Sequence, residues 1–421
     1  MDETVARIRE TAGIVREARD AHLADYSQSD IIDALVAAGR LWSDPKYLPR
    51  LRAEAIDRPF PFAMTRVSLD GLLRSLTRDR LVDFVRNEKA WRRSGYAMVG
   101  HVIAGNTPLV SWTSIIRALL VRSGSLVKLP GHGRGSVLEW TRLFKQSLYA
   151  VKPSLGEYIG LVEWPHRTES EDEGYYRAFC DCADIVMAYG SDRTIKHLQE
   201  LCADKPFIGY GHRVSFALIL STVDVPAVAE QLADDVLIYD QAGCLSPQVC
   251  FVIGGADRAE RVAAELARAL DRAVIRYPLH ERHPHAARRV RDARSLAAME
   301  GAKLYSDPGM RWTVILRRAG EFVPSPTHGV ISVIPLPHDA LLEGVLAPVA
   351  RFVQGCIIAG GAEEALRLEE RLRKLGVSYV CRPGRAQAPP IDWPQDNISP
   401  LKVLLPAKHD PAPQTAAHDT Q

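Results

Sequence analysis

The sequence has no excess of charge of either sign. Of its 421 residues, 53 are Lys or Arg and 51 are Asp or Glu, so the formal net charge at pH 7 is +2. A balance this even provides no broad basic surface for nucleic acid or for an anionic membrane. We therefore expect no nucleic-acid partner.

Long apolar runs and paired cysteines are also scarce. The longest apolar stretches, such as 216–220, have the length of a strand, whereas a membrane-spanning helix needs about 20 apolar residues. Residues 1–4 lack the basic and apolar regions of a signal peptide. The seven cysteines are an odd number spread over a long chain, which argues against a disulfide scaffold. We expect a reduced, cytoplasmic protein without a membrane span.

What is present is the composition of a globular protein. Hydrophobic residues make up 47% of the chain and charged residues 25%. A chain of this length divides into two or three domains. The part before residue 96 is helical in its periodicity; in 30–41 the apolar residues recur at helical spacing, with Ser29 or Asp30 as the expected N-cap.

From residue 96 onwards, short apolar strands alternate with helices. A strand at 98–104 is followed by a helix at 110–122, which Ser123 and Gly124 are expected to end, and by a second strand at 125–129. A similar alternation begins again near Arg213. This pattern predicts βαβ units and parallel sheets, and therefore an α/β fold.

A cysteine flanked by turn residues is the first candidate for chemistry. Cys244 follows the letters YDQAG and precedes LSP, so it lies at a backbone turn rather than within a helix. Backbone N–H groups that point at the sulfur would lower the pKa of its thiol, and a thiolate attacks carbonyl groups readily. Cys244 is therefore a candidate nucleophile; the alternative is a buried, inert cysteine.

Further segments place polar groups at the ends of predicted strands. Asn106 can donate to developing negative charge beside a helix N-terminus, or it can simply cap that helix. Lys128 ends an otherwise apolar strand, where an amine is costly unless it reaches a cleft or an anion. Gly190 and Ser191 join a strand to a helix start, a geometry that binds pyrophosphate, although many such turns bind nothing.

Metal sites are not favoured by the sequence. The histidines at 280, 283 and 285 share a loop with no partner segment rich in ligands, and the cysteines at 180 and 182 have no second pair at zinc-ligand spacing. We expect no metal.

Taken in order, the candidate segments resemble the aldehyde dehydrogenase superfamily and, within it, the LuxC-type acyl-CoA reductases, which act on long-chain fatty acyl thioesters. The resemblance covers roughly residues 96–402. It rests on GNTP at 105–108, SLVK at 125–128, YGSDRTI at 189–195, IGYGHRVSF at 208–216, DQAGCLSPQ at 240–248, and GRAQ at 384–387 with the prolines and tryptophan that follow.

The resemblance implies a fold and a division into domains. The fold is α/β and aldehyde-dehydrogenase-like, with two Rossmann-like domains and a helical N-terminal region. We expect residues 1–95 to pack on a dinucleotide-binding domain at 96–212. A catalytic domain at 213–388 carries Cys244, and residues 389–421 form a C-terminal segment and a frayed tail.

The resemblance also implies roles for individual residues. Cys244 is the nucleophile, and Asn106 shares an oxyanion hole with the backbone N–H of that cysteine. Lys128 holds the adenosine ribose, while Gly190 and Ser191 meet the pyrophosphate. The acyl group of a CoA or protein thioester is transferred to Cys244, and hydride from the nicotinamide then releases it as the aldehyde.

Departures from the superfamily pattern refine this expectation. Aldehyde-oxidising members use a glutamate to activate water, whereas the corresponding stretch 207–220 contains no carboxylate, which favours a thioester reductase. Where NAD-preferring relatives place a glutamate, this chain has Gly131, with His132 and Arg134 nearby. These bases favour NADPH over NADH and make Arg134 a cofactor-binding candidate.

His212 and His328 are the candidate proton donors to the nascent alkoxide.

Two alternatives remain open at this stage. One is an aldehyde-oxidising dehydrogenase, and the other is an acyl-carrying subunit that holds an acyl group on Cys244 for a partner enzyme. The resemblance further implies an acyl-activating partner enzyme and a homo-oligomer, both by analogy alone.

Overall fold

The computed structural model describes residues 2–22, 26–47, 60–131, 135–164, 169–279 and 283–406, with the single residues 49 and 53. The helices are α1 (Glu3–His22), α2 (Gln28–Ser43), α3 (Phe62–Ser75), α4 (Arg78–Asn87), α5 (Val110–Leu120), α6 (Gly135–Val151), α7 (Pro153–Glu157), α8 (Glu169–Cys182), α9 (Asp192–Leu201), α10 (Val225–Leu237), α11 (Ala256–Arg276), α12 (Pro284–Met299), α13 (Leu342–Leu346) and α14 (Ala362–Lys374). The strands are β1 (Met98–Val102), β2 (Gly124–Lys128), β3 (Ile159–Val162), β4 (Ile185–Tyr189), β5 (Phe207–Tyr210), β6 (Val214–Ile219), β7 (Pro247–Ile253), β8 (Lys303–Ser306), β9 (Thr313–Leu316), β10 (Val330–Leu336), β11 (Val353–Ala359) and β12 (Tyr379–Cys381).

Within the described ranges, the first five strands form one parallel sheet in the order β3-β2-β1-β4-β5. Strands β1, β2 and β4 are buried along their whole length, as parallel strands are when helices cover both faces of their sheet. The chain leaves β1 in one direction to β2 and later returns on its other side to β4. This reversal of strand order leaves a crevice at the carboxyl ends of β1 and β4, which is where ligands bind in open α/β sheets.

The later strands form a second sheet, in the order β12-β11-β6-β7-β10-β9-β8 over the described residues. All of its neighbours are parallel except β8 and β9. Helices α10 and α11 pack against each other, and α11 lies on β7, β9 and β10. The predicted α/β fold with two parallel sheets is confirmed.

The N-terminal helices connect the two sheets. Helix α1 packs on β2, β3 and α8, whereas α2 packs on α5 and α6. Helix α3 contacts the part of the chain that follows the second sheet. The Ser68 hydroxyl donates to the carbonyl of Gln387 at 2.6 Å. A Cβ added to Gly71 would lie 2.5 Å from the Cβ of Ala388, so glycine is needed for this close approach.

Two expected helix ends are wrong. Helix α2 is capped by Ser27, not by Ser29 or Asp30; the Ser27 side chain accepts from the Asp30 N–H, and the Asp30 carboxylate accepts from the Ser27 N–H. Helix α5 ends at Leu120, and the left-handed residue beyond it is Arg122, with φ of 62°. Gly124 instead begins β2, where an added Cβ would lie 2.8 Å from Val15 of α1.

In the part of the chain that the structure covers, no helix has both the length and the apolarity needed to cross a bilayer. The first sheet falls within 98–210 and the second within 214–381, while the proposed domain boundaries themselves stay a prediction. The expected frayed tail lies outside the described residues from position 407 onwards.

Candidate active site

A cavity of about 1200 Å³, here called the large cavity, lies at the carboxyl ends of β1 and β4 and reaches the loop before β7. It brings together residues that are far apart in the sequence. Those predicted for the site that line it are Asn106, Lys128, Gly190, Ser191, His212 and Cys244.

A second cavity of about 120 Å³, here called the small cavity, meets the large one at Cys244. Besides the loop at 239–245 that carries Cys244, its walls come from three parts of the chain. They are Ser68 and Leu72 of α3, Val110, Thr113 and Arg117 along one face of α5, and Pro389, Pro390 and Trp393 of the C-terminal segment. The sulfur-bearing residue therefore stands between two separate spaces.

The environment of Cys244 opposes ionisation of its thiol. The backbone N–H groups of Cys244 and Leu245 point at the sulfur, as expected from the turn, and they lower the pKa of the thiol. Burial and then the negative charge of Asp396 outweigh them and raise this pKa to about 12. The expectation of a lowered thiol pKa is therefore wrong for the ligand-free protein.

Asn106 ties the end of β1 to the cysteine loop. Its Nδ2 donates to the carbonyl of Ala242 at 2.9 Å, two residues before Cys244. Since an amide NH₂ group has two protons, one remains for a ligand. The alternative of helix capping is wrong, because the N-cap of α5 is Leu109 and no side chain caps it.

Lys128 lies in an aromatic cage that sequence reasoning did not anticipate. Its ammonium lies 5.1 Å from the ring centroid of Trp164 and 5.5 Å from that of Tyr176, so both rings face the cation. Burial lowers the pKa of Lys128 to about 8, and the negative charge of Asp172 partly opposes this shift. The sequence signal for the cage was the group of three aromatic residues in 164–176, two of which the fold brings to β2.

Gly190 and Ser191 form the turn from β4 into α9. The Ser191 side chain caps the helix and accepts from the N–H of Thr194 at 3.2 Å. A Cβ on Gly190 would lie 3.3 Å from the Thr194 Cβ, so the turn is tight against the helix start. A helix N-terminus at this crevice, with a cation at the end of β2, fits the phosphates and ribose of a dinucleotide.

The other residues predicted for the site are Arg134, His212 and His328, and they differ in where they lie. Arg134, together with His132, lies outside the described residues. His212 is exposed, and its backbone N–H donates to Asp192 at 2.8 Å. His328 is absent from the residues found to line the large cavity, and its Nδ1 lies 2.5 Å from the Asp240 carboxylate.

A partly buried ion pair beside Cys244 was missed. Arg213 binds both carboxylate oxygens of Asp396, at 3.0 and 2.8 Å, and the Gln354 amide donates to the same carboxylate at 2.8 Å. Asp396 and Asn397 have left-handed backbone, with φ of 55° and 60°. Asp and Asn are the residues that most readily adopt this conformation, so the letters DN after a proline were the available signal.

Metal ligation and disulfide bonding are not seen in the described residues. No group of three or more His, Cys, Asp or Glu side chains in those ranges could hold a metal ion. All seven cysteines lie within them, and each is a free thiol or thiolate.

Comparisons with known proteins agree with this geometry. A family model described as acyl-CoA reductase (LuxC) matches residues 23–407. Long-chain acyl-protein thioester reductase 2 from Photobacterium leiognathi is 25% identical over 410 residues, which cover 90% of this chain and 81% of the relative.

Solved structures support the fold. A methylmalonate-semialdehyde dehydrogenase from Oceanimonas doudoroffii superposes with a TM-score of 0.74 at 12% identity, covering 95% of this chain and 88% of that one. An aldehyde dehydrogenase from Mycobacterium tuberculosis, solved in complex with NAD⁺, gives 0.67 at 14% identity, with coverages of 90% and 82%. The fold is therefore that of the aldehyde dehydrogenases.

Proposed function

The chain belongs to the acyl-CoA reductase (LuxC) family, and we propose that it reduces an acyl thioester to the aldehyde, with NADPH as hydride donor and Cys244 as the acylated residue. The observation that carries the proposal is the position of Cys244 between two cavities. The residues of the large cavity fit a dinucleotide, and the small cavity has mostly apolar walls, which suit an acyl group. A nucleophile between them can be loaded from one side and discharged from the other.

The volume of the small cavity indicates how much of the acyl group it can hold. A cavity of about 150 Å³ holds a benzene ring of six carbon atoms, so 120 Å³ takes about five non-hydrogen atoms next to the carbonyl. A fatty chain, which the sequence resemblance implies, would continue between α3 and the segment 389–395. Both of these elements contribute walls to the cavity.

Attack on the thioester requires Cys244 to lose its proton. Because the pKa of this thiol is raised to about 12, thiolate is rare at neutral pH, so the proton must be taken up as the sulfur attacks. His212 lines the same cavity, and we assign it this role. The new C–S bond forms first, as the π electrons of the carbonyl move onto its oxygen; the donor's C–S bond then breaks as they return, and His212 passes the proton to the departing thiolate.

The carbonyl oxygen becomes negatively charged during this attack. The second amide proton of Asn106 and the backbone N–H of Cys244 are the donors we assign to it. The first amide proton of Asn106 is already bonded to Ala242, which fixes the amide against the cysteine loop.

A bound nicotinamide dinucleotide supplies hydride to the acyl carbon. The residues of the chain then have to keep water from the acyl-enzyme until that transfer. The stretch 207–220 provides no carboxylate to activate water, and Asp396 is held by Arg213 and Gln354. This arrangement supports reduction over the aldehyde-oxidising alternative.

The preference for NADPH depends on the charges at the ribose end of the large cavity. Lys128 provides a cation at the ribose end of the large cavity, and Gly131 lines it without a carboxylate. Asp172 partly offsets that cation. We propose that His132 and Arg134 add the charge that favours a 2′-phosphate.

The acyl donor, the oligomeric state, the cellular location and the partner enzyme are also proposals. The name of the Photobacterium relative specifies an acyl-protein thioester, and we propose that this chain accepts acyl-protein or acyl-CoA. We further propose a cytoplasmic homo-oligomer that works with an acyl-activating enzyme.

The test is a panel of acyl-CoA and acyl-protein thioesters of different chain lengths, each with NADPH and with NADH. We expect aldehyde formation with matching cofactor oxidation, faster with NADPH, and no turnover in Cys244→Ala. Cys182→Ser is the matched control, because Cys182 lies on α8 and should leave activity unchanged. Turnover in Cys244→Ala would remove the acyl-enzyme, and acid formation from free aldehyde would favour an oxidising dehydrogenase. A wild-type acyl-enzyme that NADPH cannot discharge would favour an acyl-carrying subunit.

A further inference from the structure

Two short runs of left-handed backbone meet beside the cysteine loop. Tyr239, Asp240 and Gln241 have φ of 59°, 52° and 64°. Thr327 and His328 have φ of 69° and 61°, and they are followed by a glycine that is also left-handed. Residues with a Cβ adopt this conformation rarely, and consecutive ones persist only where surrounding contacts hold them.

The contacts that hold both runs join them to each other. The backbone N–H of His328 donates to the carbonyl of Asp240 at 3.1 Å. The imidazole Nδ1 of the same histidine lies 2.5 Å from the Asp240 carboxylate. Backbone and side chain of one residue therefore bind backbone and side chain of the other. We call these two residues the clamp.

A second set of bonds continues from the clamp into the site. The Gln241 amide donates to the carbonyl of Val330 at 2.9 Å, and the Ser325 hydroxyl donates to the Gln241 side chain at 3.3 Å. Gln241 and Thr327 both line the large cavity. The clamp itself stands behind this wall, with partly buried side chains.

The clamped run leads directly to the nucleophile. The next residue, Ala242, is bound through its carbonyl by Asn106, and Cys244 follows two residues later. The loop is therefore held at one end by the clamp and near the other by Asn106. If the clamp is lost, the turn at 239–241 can relax toward ordinary backbone and move Cys244 relative to Asn106.

We propose that Asp240 and His328 are positioning residues, which hold the loop before Cys244 in its left-handed conformation. Their effect on acyl transfer rests on the proposed function of Cys244. Their effect on the order of the loop does not.

The test variant is His328→Gly. Glycine adopts left-handed backbone without strain, so this change removes the imidazole while relieving the chain at position 328. The matched control is Lys89→Gly, an exposed residue with φ of 55° in the turn after α4. Two quantities are measured: hydrogen exchange of the 239–244 amides by mass spectrometry, and the single-turnover rate of Cys244 acylation by an acyl-CoA.

We expect His328→Gly to speed exchange in 239–244 and to slow acylation, each by about tenfold, with NADPH affinity unchanged. Added imidazole should reverse both effects, because it can occupy the space beside Asp240. If His328 acted through its backbone alone, added imidazole would change neither the exchange nor the acylation rate. Lys89→Gly should change neither quantity.

Exchange and acylation rates within twofold of wild type in His328→Gly would overturn the proposal, as would imidazole having no effect. If His328→Gly does not fold, Asp240→Asn serves instead, since Asn tolerates left-handed backbone and keeps the size of the side chain. If the wild type is never acylated, the proposed function fails, whereas the exchange measurement still decides whether the clamp orders the loop.

Discussion

The charge of Lys128 makes cofactor binding depend on pH in a way that can be calculated. Burial lowers the pKa of its ammonium to about 8 in the ligand-free protein. The protonated fraction is then about 0.9 at pH 7 and about 0.1 at pH 9. If only the protonated form binds the phosphorylated ribose tightly, the apparent Kd rises by the ratio of these fractions, about tenfold between pH 7 and pH 9.

The assay is a fluorescence titration of NADPH at pH 7, 8 and 9. This range lies above the second pKa of a phosphate monoester, about 6, so the ligand's own charge stays constant. Lys128→Arg is the informative variant, because a guanidinium stays protonated throughout and can still lie against Trp164 and Tyr176. Its Kd should be constant with pH. Lys374→Gln, an exposed position on α14, controls for general charge effects and should reproduce the wild-type pH dependence.

A wild-type Kd that is constant from pH 7 to pH 9 would refute the reasoning. So would an equal rise in Lys128→Arg, because the titrating group would then lie elsewhere.

Two further predictions concern acidic groups whose pKa is raised. The thiol of Cys244 has its pKa raised to about 12, so alkylation of the ligand-free protein by iodoacetamide should accelerate about tenfold per pH unit from pH 7 to pH 9. Mass spectrometry of the Cys244 peptide measures this, and a plateau below pH 9 would contradict it. Asp235 is fully buried and its pKa is raised to about 8 from 3.8, so the folded state binds its proton more tightly than the unfolded state does. The free energy of unfolding should therefore fall as pH rises, by about 2 kcal/mol between pH 6 and pH 8 from this residue. Urea unfolding of wild type and Asp235→Asn checks this; equal slopes in the two proteins would show that Asp235 is not the cause.

Periodicity was enough to predict the alternating elements, because parallel strands covered on both faces are continuous apolar runs. The helix predicted at 110–122 is α5, for example, and its apolar positions face the core. Strand β11 (Val353–Ala359) was missed, although it lies between β6 and β12 in the second sheet and is wholly buried. Its sequence contains Gly355 and begins in a polar setting, which weakens a strand signal. An added Cβ at that glycine would lie 2.7 Å from the Ser215 hydroxyl, so packing and not propensity places a glycine there.

In the site, too, adjacent residues in the sequence predict some features, whereas others arise from contacts between distant parts of the chain. Cys244, Asn106 and Lys128 each end a strand or lie in a turn, and such positions can be read from neighbouring letters. The cage around Lys128 cannot, because Trp164 approaches it through the pairing of β3 with β2, and Tyr176 through the packing of α8 on the first sheet. Asp396 illustrates the limit most clearly, since a residue 152 positions after the cysteine adds to the effect of burial in raising the pKa of its thiol.

The mixed origin of the small cavity has a consequence for how the protein is made. Its walls come from α3, α5 and the segment 389–395, and the last of these leaves the ribosome after all the others. During synthesis the cysteine is therefore translated well before the space beside it is enclosed. In a nascent chain this space therefore stays open until the final segment docks on α3 through Gln387 and Ala388.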